Sequence, residues 1–320
     1  MRLIQRPTPS PLHYLYAALG SLATVTAIVL VFTGDVEKAA AAFTSVDIHY
    51  LARVFLVVAM ISLSGVLSYR SGLWNIGQEG QAVVGALAAV ASRNAVEAVA
   101  LASLFSTLWI LAPVVLRAAA EVNEAVTTFL LSLVAIYTAR YFIDGPLRDP
   151  AKKGFVVTVE APYLDLLAAA VMYVLLLVGV AALYKTRMGL TLRLLASGEE
   201  VVRYAGKSPR AYIAAALLLS GAVAGLGGAV ETMTREAGRY MTLQQVSTGF
   251  GLFGISATWL GGLHPLGAAA ASLYIAWLYQ VATNLKVMGL PALVANALVG
   301  GAMAWGLAGY MMYKYRLVWR

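Results

Sequence analysis

The chain has 320 residues, of which 61% are apolar and only 12% are charged, and its formal net charge is +8. A soluble domain usually carries about 25% charged residues, so these charges are too few to cover a globular surface in water. The composition excludes a disordered, fibrous or ordinary soluble protein and indicates a protein embedded in a lipid bilayer.

Cysteine is absent from the chain, which excludes disulfides, thiolate metal sites and cysteine nucleophiles. The three histidines, His13, His49 and His264, are not spaced as metal ligands, so we expect no metal site and place them near the membrane interface. Most basic residues lie in loops and at helix ends, where membrane topology and anionic lipid headgroups account for the positive charge. We therefore expect no nucleic-acid partner.

Ten apolar runs follow one another along the chain, and we interpret each as a transmembrane helix because about 20 such residues cross the hydrocarbon core. The third and eighth runs are short, so we expect them to be broken or re-entrant. The sequence thus predicts an all-α, polytopic integral membrane protein in which residues 1–320 form a single transmembrane domain. The runs are residues 12–32, 49–69, 81–92, 96–116, 125–143, 163–184, 211–230, 246–260, 266–285 and 290–313.

The distribution of lysine and arginine predicts the orientation in the membrane. With the N-terminus in the cytoplasm, thirteen of the 23 basic residues fall on the inner side, and ten spans return the C-terminus to the cytoplasm. The loop at 144–162 then faces outward. The loop at 185–210 faces inward, and its apolar residues among six basic ones predict a short amphipathic helix that needs a partner or the membrane surface.

Two short motifs resemble nucleotide-binding sequences without the surroundings that such sites need. Gly249, Gly251 and Gly254 have the spacing G-x-G-x-x-G, but no strand precedes them and no acidic residue follows, so we interpret them as positions of close helix packing or a helix break. Residues 206–208 resemble the end of a phosphate-binding loop, but Val201 occupies the position of the required first glycine. We therefore expect no ATPase site on this chain.

The segment 75–81 is the densest polar cluster between apolar runs, and polar groups inside a bilayer need a role or a partner. One interpretation is a broken helix whose polar end faces a solute path, and the other is a short cytoplasmic turn. Its amide and carboxyl side chains belong to Asn75, Gln78, Glu79 and Gln81.

A second polar cluster covers residues 121–128. Glu121, Glu124 and Thr128 fall on one helical face, with Asn123 and Thr127 beside them. This face either lines a pathway or contacts a cytoplasmic partner, or it is a solvated helix start at the membrane edge. Further along, the acidic and basic residues of segment 231–239 are expected to form a solvated outer face of mutually paired charges.

Five stretches in chain order carry a family resemblance. Together they resemble the permease subunits of ABC importers of the ribose, branched-chain amino acid and nucleoside type, and the stretch 145–150 resembles the outer loop of the nucleoside branch. The chain departs from the family pattern at Ser132, where asparagine is frequent, and at 197–200, where the family often has Asn-Pro. The stretches are GLWNIGQEGQ (72–81), EVNEAVTTFLL (121–131), GPLRDP (145–150), MGLTLR with RYAG (188–193 and 203–206), and residues 251–267.

The resemblance implies a permease subunit that forms the path for a nucleoside or a similar small polar solute, in the cell membrane. Implied partners are ABC ATPase subunits, a second permease subunit that is identical or related, and an extracytoplasmic solute-binding protein. This chain would bind no cofactor, and ATP would be used by the partner ATPase. Our candidate contacts with the solute are Asn75, Gln78, Glu79, Gln81, Asn123, Thr127 and Thr128, and our candidate contacts with the ATPase are Leu192, Arg193, Leu195, Glu199, Glu200, Arg203 and Tyr204.

Alternatives remain at this point. A permease of the same family could carry a sugar or a branched-chain amino acid. A secondary carrier would instead couple transport to an ion gradient through buried acids such as Glu79 or Glu124, and it would have no need of the docking loop at 185–210. A membrane-embedded enzyme would need a convergent set of catalytic groups, and three scattered histidines do not supply one.

Overall fold

The fold is seen in a computed structural model, which describes residues 2–5, 12–236, 238–243, 246–291 and 293–318. Within these residues, seven helices are long and apolar enough to cross a membrane, and a shorter apolar helix covers 250–260. The elements in chain order are β1 (Arg2–Gln5), α1 (Leu12–Thr33), α2 (Val36–Thr44), α3 (Ile48–Tyr69), α4 (Gln78–Val90), α5 (Ala95–Ala120), α6 (Glu124–Asp144), α7 (Leu166–Leu183), α8 (Arg187–Leu195), α9 (Glu199–Tyr204), α10 (Pro209–Met233), α11 (Phe250–Leu260), α12 (Pro265–Val287), α13 (Leu293–Lys314) and β2 (Tyr315–Val318).

Each of the ten predicted runs corresponds to a helix, and the two that looked short are the two shortest of these ten. Helix α4 has 13 residues and α11 has 11, which is less than the roughly 20 residues needed for a full crossing. Helices α2, α8 and α9 add short connecting elements of six to nine residues. The polytopic helical architecture is thus confirmed.

The described residues also contain two elements that are not helical, both of them short strands. Strands β1 and β2 pair in antiparallel register, with Arg2 opposite Val318 and Gln5 opposite Tyr315. A four-residue strand is too short to show the alternation of apolar and polar residues by which strands are recognised in a sequence. The all-α prediction therefore holds for every described element except this ribbon of the two chain ends.

The chain divides into two compact units, one of Met1–Phe55 with Ser256–Arg320 and the other of Leu56–Ile255. In the first unit α1 packs along α13. The ring of Trp305 fills the space beside Gly20, and its indole N–H donates to Thr24 Oγ1 at 2.8 Å. His264 caps α12 by accepting a hydrogen bond from Leu266 N at 3.2 Å, a local structural role that fits an isolated histidine.

The second unit is built around α4, whose residues are nearly all buried. Helix α10 crosses it closely, because a side-chain carbon at Gly228 or Gly85 would collide with backbone on the other helix. The glycine series of α10 thus serves helix packing, as its small residues indicated. In contrast, α5, α6 and α7 expose most of their apolar side chains, which suits contact with lipid.

Segment 185–210 differs from the sequence expectation in one respect. In place of the single amphipathic helix that was predicted there are two, α8 and α9, which meet at Gly198. The backbone there has φ of +129°, a conformation that glycine adopts without the strain of a side chain. The break between the two helices therefore lies in the Ser-Gly-Glu-Glu sequence at 197–200.

Candidate functional site

The amides of Asn75 and Gln81 bind each other inside the second unit. Asn75 Nδ2 donates to Gln81 Oε1 at 3.0 Å and to Ser220 Oγ at 2.8 Å, and Gln81 Nε2 donates back to Asn75 Oδ1 at 3.0 Å. Asn75 Oδ1 also accepts from Gly77 N at 3.1 Å. Both side chains are buried and their hydrogen-bonding groups are used, so the pair joins the turn at 71–77 to α4 and α10.

Gln78 is buried beside this pair. Its Nε2 donates to Ser64 Oγ at 3.2 Å, and Ser64 Oγ lies 2.9 Å from Ser220 Oγ. The carbonyl Oε1 of Gln78 is buried without a hydrogen-bond partner among the described residues. A buried amide oxygen without a donor is costly. Gln78 Oε1 can therefore still accept a hydrogen bond, whereas the side-chain oxygens of Asn75 and Gln81 already do so.

One face of α6 supplies hydrogen-bond acceptors to the start of α4. The acceptors belong to Glu124, Thr128 and Ser132, which share a face of the helix because they are four residues apart, and all three residues are buried. They satisfy backbone N–H groups of residues 74–80, where the first turn of α4 has no intrahelical acceptors. The bonds run from Trp74 N to Glu124 Oε1 at 3.3 Å, from Ile76 N to Thr128 Oγ1 at 3.2 Å, and from Gly80 N to Ser132 Oγ at 3.2 Å.

The prediction that Glu121 shares this face is wrong. Glu121 lies between α5 and α6 with a left-handed backbone at φ of +53° and is exposed, so the face continues to Ser132 instead. Asn123 is also exposed, and it caps α6 by accepting a hydrogen bond from Ala125 N at 2.8 Å. Thr127 Oγ1 donates back to Asn123 O at 3.2 Å.

Glu79 caps the start of α11. Its carboxylate accepts hydrogen bonds from Gly249 N at 2.9 Å, from Gly251 N at 2.5 Å and from Ser247 Oγ. A negative charge at the N-terminus of a helix is stabilised both by these free N–H groups and by the helix dipole. A side-chain carbon at Gly251 would collide with the backbone of Glu79. The G-x-G-x-x-G sequence is thus a close contact with α4, as interpreted from its surroundings.

A narrow cavity of about 20 Å³ opens beside Glu79, enough for roughly one water molecule. Val57, Ile61 and Phe250 form an apolar part of its wall. The polar part of the wall consists of Glu79, Glu231, Thr232, Arg235 and Thr248.

Residues 231–239 were predicted to form a solvated face, and this prediction is wrong for Glu231 and Arg235, which line the cavity. Glu231 is buried, and Arg235 binds it at 2.6 Å while also donating to Tyr240 O at 3.1 Å. Of the pairing predicted within this segment, the contact between Glu231 and Arg235 is confirmed, whereas Arg239 binds Glu160 at 3.2 Å. Arg239 likewise donates to Ala161 O at 3.1 Å, so this face packs against the last residues of the loop at 144–162.

Both cavity carboxylates are balanced by neighbours. Glu79 faces the N-terminus of α11, and Glu231 faces the guanidinium of Arg235. The cavity thus offers hydrogen-bonding oxygens and hydroxyls beside apolar side chains, without an uncompensated charge among its lining residues. In this state the cavity is too small for a solute larger than water, so a transported solute passes these side chains only when the path between them opens.

Residues 185–210, hereafter the coupling segment, turn part of their apolar surface inward. Leu192, Leu195 and Val202 are buried against α5 and α10. The apolar side chains that remain on the surface are Leu190, Val201 and Tyr204, the last of which is 90% exposed. Leu192 and Leu195, predicted as contacts for an ATPase, therefore lie beneath this surface.

The charged residues of the coupling segment form a chain of ion pairs. Arg203 binds Glu200 at 2.7 Å and lies 3.7 Å from Glu199, and Glu199 binds Arg117 of α5 at 2.9 Å. Arg193 is exposed on α8.

The base of the coupling segment is fastened by Tyr184, which follows the end of α7. Burial raises the pKa of Tyr184 to about 12, so its hydroxyl stays protonated at neutral pH and donates to Val66 O at 2.9 Å. Arg70 lies over the Tyr184 ring at 4.5 Å. Burial, together with the nearby charge of Arg193, lowers the pKa of Arg70, but a guanidinium remains charged under all physiological conditions.

Comparison with known proteins identifies the family. The model for branched-chain amino acid transport system permease components matches residues 47–304. The chain belongs to this family. It is therefore an ABC transporter permease, a multi-pass protein of the plasma membrane, and the match covers the helix α4 region, the α6 face, the cavity and the coupling segment. No solved structure matches the permease significantly.

Three relatives illustrate the range of the family. The guanosine ABC transporter permease protein NupP of Bacillus subtilis is 29% identical over 286 residues, which cover 79% of each chain. The glucose ABC transporter permease protein TsgB13 of Haloferax volcanii is 29% identical over 300 residues, 83% of this permease and 78% of the relative. The nucleoside ABC transporter permease protein NupC of Lactococcus lactis is 27% identical over 255 residues, 71% and 78% respectively.

The structure of the permease brings some of the predicted solute contacts together and separates others. Glu79 reaches the cavity, whereas Asn75, Gln78 and Gln81 form the buried cluster and Thr128 supports the start of α4. Sequence reasoning missed Glu231, Thr232 and Arg235. These residues lie at or just beyond the end of α10, which is apolar and rich in glycine. Such a helix packs closely against other helices, so charged residues at its end could have been predicted to be buried.

Proposed function

We propose that this permease forms the path for a nucleoside, or a similar uncharged and hydroxyl-bearing solute, in an importer driven by ATP. The similarity to guanosine and nucleoside permeases carries the proposal. The charge-balanced residues that line the cavity support it, because a path opened past them would present hydrogen-bonding groups to the ribose hydroxyls and uncharged base of a nucleoside. We place the solute path past Glu79, Glu231, Thr232 and Arg235, with Asn123 and Thr127 at the exposed start of α6.

The second candidate solute is a sugar. The relative named for glucose is as similar as the one named for guanosine, and a hexose shares its adjacent hydroxyls with ribose. A branched-chain amino acid is less suited, because its ammonium and carboxylate groups require unpaired charges of both signs, and Glu79, Glu231 and Arg235 are already compensated.

The proposal includes a ten-span topology with both chain ends in the cytoplasm, in which α4 and α11 are the two short or broken spans. The coupling segment then faces the cytoplasm, where Leu190, Val201 and Tyr204 offer an apolar surface to an ABC ATPase. The loop at 144–162 faces outward, towards a solute-binding protein. A second permease subunit completes the path. This chain binds no cofactor, and the partner ATPase uses the ATP.

Transport assays with the whole importer test this function. The permease, its ATPase and its binding protein are reconstituted in liposomes, and uptake of radiolabelled guanosine is measured with ATP inside. We expect ATP-dependent uptake that excess unlabelled nucleosides suppress, whereas equal excesses of glucose or leucine leave it unchanged. Suppression by glucose alone would transfer the proposal to the sugar class. Guanosine uptake that persists without ATP and collapses with an ionophore would contradict the ATP-driven mechanism and favour a secondary carrier.

A further inference from the structure

Arg117 stands where three parts of the second unit meet. It lies in the last turn of α5, close to Glu199 at the start of α9 and to Glu124 at the start of α6. Its Nη2 binds Glu199 Oε1 at 2.9 Å, and its Nε lies 3.5 Å from Glu124 Oε2. One guanidinium is thus shared between a carboxylate of the coupling segment and a carboxylate of the α6 face.

The contact with Glu124 is incomplete. Arg117 Nε is buried and has no hydrogen-bond acceptor among the described residues, although Glu124 is near. A buried N–H group without an acceptor is costly, so a small movement of the guanidinium towards Glu124 would be favourable. The strong contact to Glu199 holds it away from that position.

Glu199 has a second cation within reach. Arg203 lies 3.7 Å from it, four residues along α9, and binds Glu200 more closely at 2.7 Å. If α9 moves away from α5, Glu199 can turn to Arg203 and keep an ion pair. The charges therefore have two arrangements, one with Glu199 on Arg117 and one with Glu199 on Arg203, as a switch requires.

Glu124 connects this switch to the buried cluster. Its other carboxylate oxygen accepts from Trp74 N at 3.3 Å, one residue before Asn75. The carbonyl of Asn75 accepts from Tyr69 OH at 2.8 Å, and its side chain is bonded to Gln81 and Ser220. A change at Glu124 therefore acts on the turn at 71–77, which leads directly into α4 and Glu79.

We propose that Arg117 is the positioning residue that carries movement of the coupling segment to the start of α4. When the ATPase moves α9 away from α5, the ion pair between Arg117 and Glu199 breaks and Arg117 forms a closer ion pair with Glu124. The hydrogen bond from Trp74 N to Glu124 then changes, which shifts the turn at 71–77. The inference rests on the proposed ATPase partner but not on the identity of the solute.

Coupling is measured first, with the permease purified together with its ATPase and reconstituted with the binding protein. In Arg117→Gln, we expect uptake per ATP hydrolysed to fall about tenfold, within the usual range for coupled sites, while the ATPase stays bound and hydrolyses at least half as fast. Glu199→Gln is expected to give the same loss, and the double variant no further loss, because both changes remove the same contact. Arg93→Gln, in the exposed loop between α4 and α5, is the matched control and should leave the ratio unchanged.

A second readout does not depend on the solute. Since the chain has no cysteine, a spin label can be attached to Trp74→Cys alone, with Ala91→Cys as the control position. We expect Mg-ATP to change the mobility of the label at 74 in the otherwise native complex, but not when Arg117→Gln or Glu199→Gln is also present. The label at 91 should not respond.

The outcomes distinguish failure of the proposed Arg117 relay from failure of the proposed function. If ATP is hydrolysed but the label at 74 responds equally with and without Arg117, or the Arg117→Gln and Glu199→Gln losses add, the relay is overturned and the proposed function stands. Loss of the ATPase from Arg117→Gln and Glu199→Gln alike would make these residues docking contacts and would also overturn the relay. If no ATPase accompanies the unaltered permease, the proposed function itself fails.

Discussion

Glu79 shows how one side chain serves two helices. It belongs to the first turn of α4, yet its carboxylate receives the free N–H groups at the start of α11. The charge expected to face a solute is therefore compensated by a helix end and remains next to the cavity. The close approach depends on Gly251, where the backbone of Glu79 occupies the space of a side chain.

Gly251→Ala tests this contact. We expect it to lower the free energy of unfolding by about 1–3 kcal/mol, because the added methyl group must displace backbone in a packed interface. Gly179→Ala is the matched control, since a side-chain carbon there meets nothing within 4 Å, and it should leave stability unchanged or raise it slightly. Thermal unfolding of both purified variants in the same detergent makes the comparison, and equal melting temperatures would contradict the proposed contact.

At the scale of elements, the α6 face explains why acceptors recur every four residues from Glu124 to Ser132. They hold the turn at 71–77 and the first turn of α4, both of which have backbone N–H groups without helical partners. The spacing predicted the shared face, and two of its three members were expected. The sequence did not show what the face would meet, because the partner segment lies some fifty residues earlier in the chain.

Thr128→Val tests the support that α6 gives to this turn. The variant keeps the shape of the side chain but leaves Ile76 N without its acceptor, so we expect a loss of about 1–3 kcal/mol in stability. Thr107→Val is the control, because Thr107 only donates to a carbonyl of its own helix. Hydrogen exchange should show faster exchange at residues 74–80 in Thr128→Val alone. Similar protection in both variants would remove the supporting role.

At the scale of the whole molecule, the order and approximate limits of the membrane helices followed from the apolar runs. Their burial did not, because side chains facing lipid and side chains facing the protein are equally apolar. In an 18-residue apolar stretch of each helix, 72% of the residues of α10 are buried but only 17% of those of α7, although both helices are strongly apolar. Asn75 and Gln81 likewise stood out as polar residues that need partners, but their partners proved to be each other.

The sequence pattern also does not show which residues the rest of the chain will cover, and this explains the residues that were missed or misplaced. Glu231 and Arg235 have the spacing of an exposed ion pair. They become part of a cavity because Met241, Val246 and Thr248 line it with them and Tyr240 O accepts a hydrogen bond from Arg235. Leu192 and Leu195 formed an apolar pattern outside the membrane, which a partner or the chain itself could cover. The structure covers them with α5 and α10 and leaves Leu190, Val201 and Tyr204 exposed.

Co-purification from native membranes tests the central claim, that this chain is the permease of an ATP-driven importer, most directly. The permease is isolated in a mild detergent and its companions are identified and counted by mass spectrometry. We expect a P-loop ATPase at about one copy per permease, and we expect it to be lost when Tyr204, the most exposed apolar residue of the coupling segment, is changed to Asp. A homomer that contains no ATPase and still takes up solute would contradict the assignment to an ATP-driven importer and favour a secondary carrier.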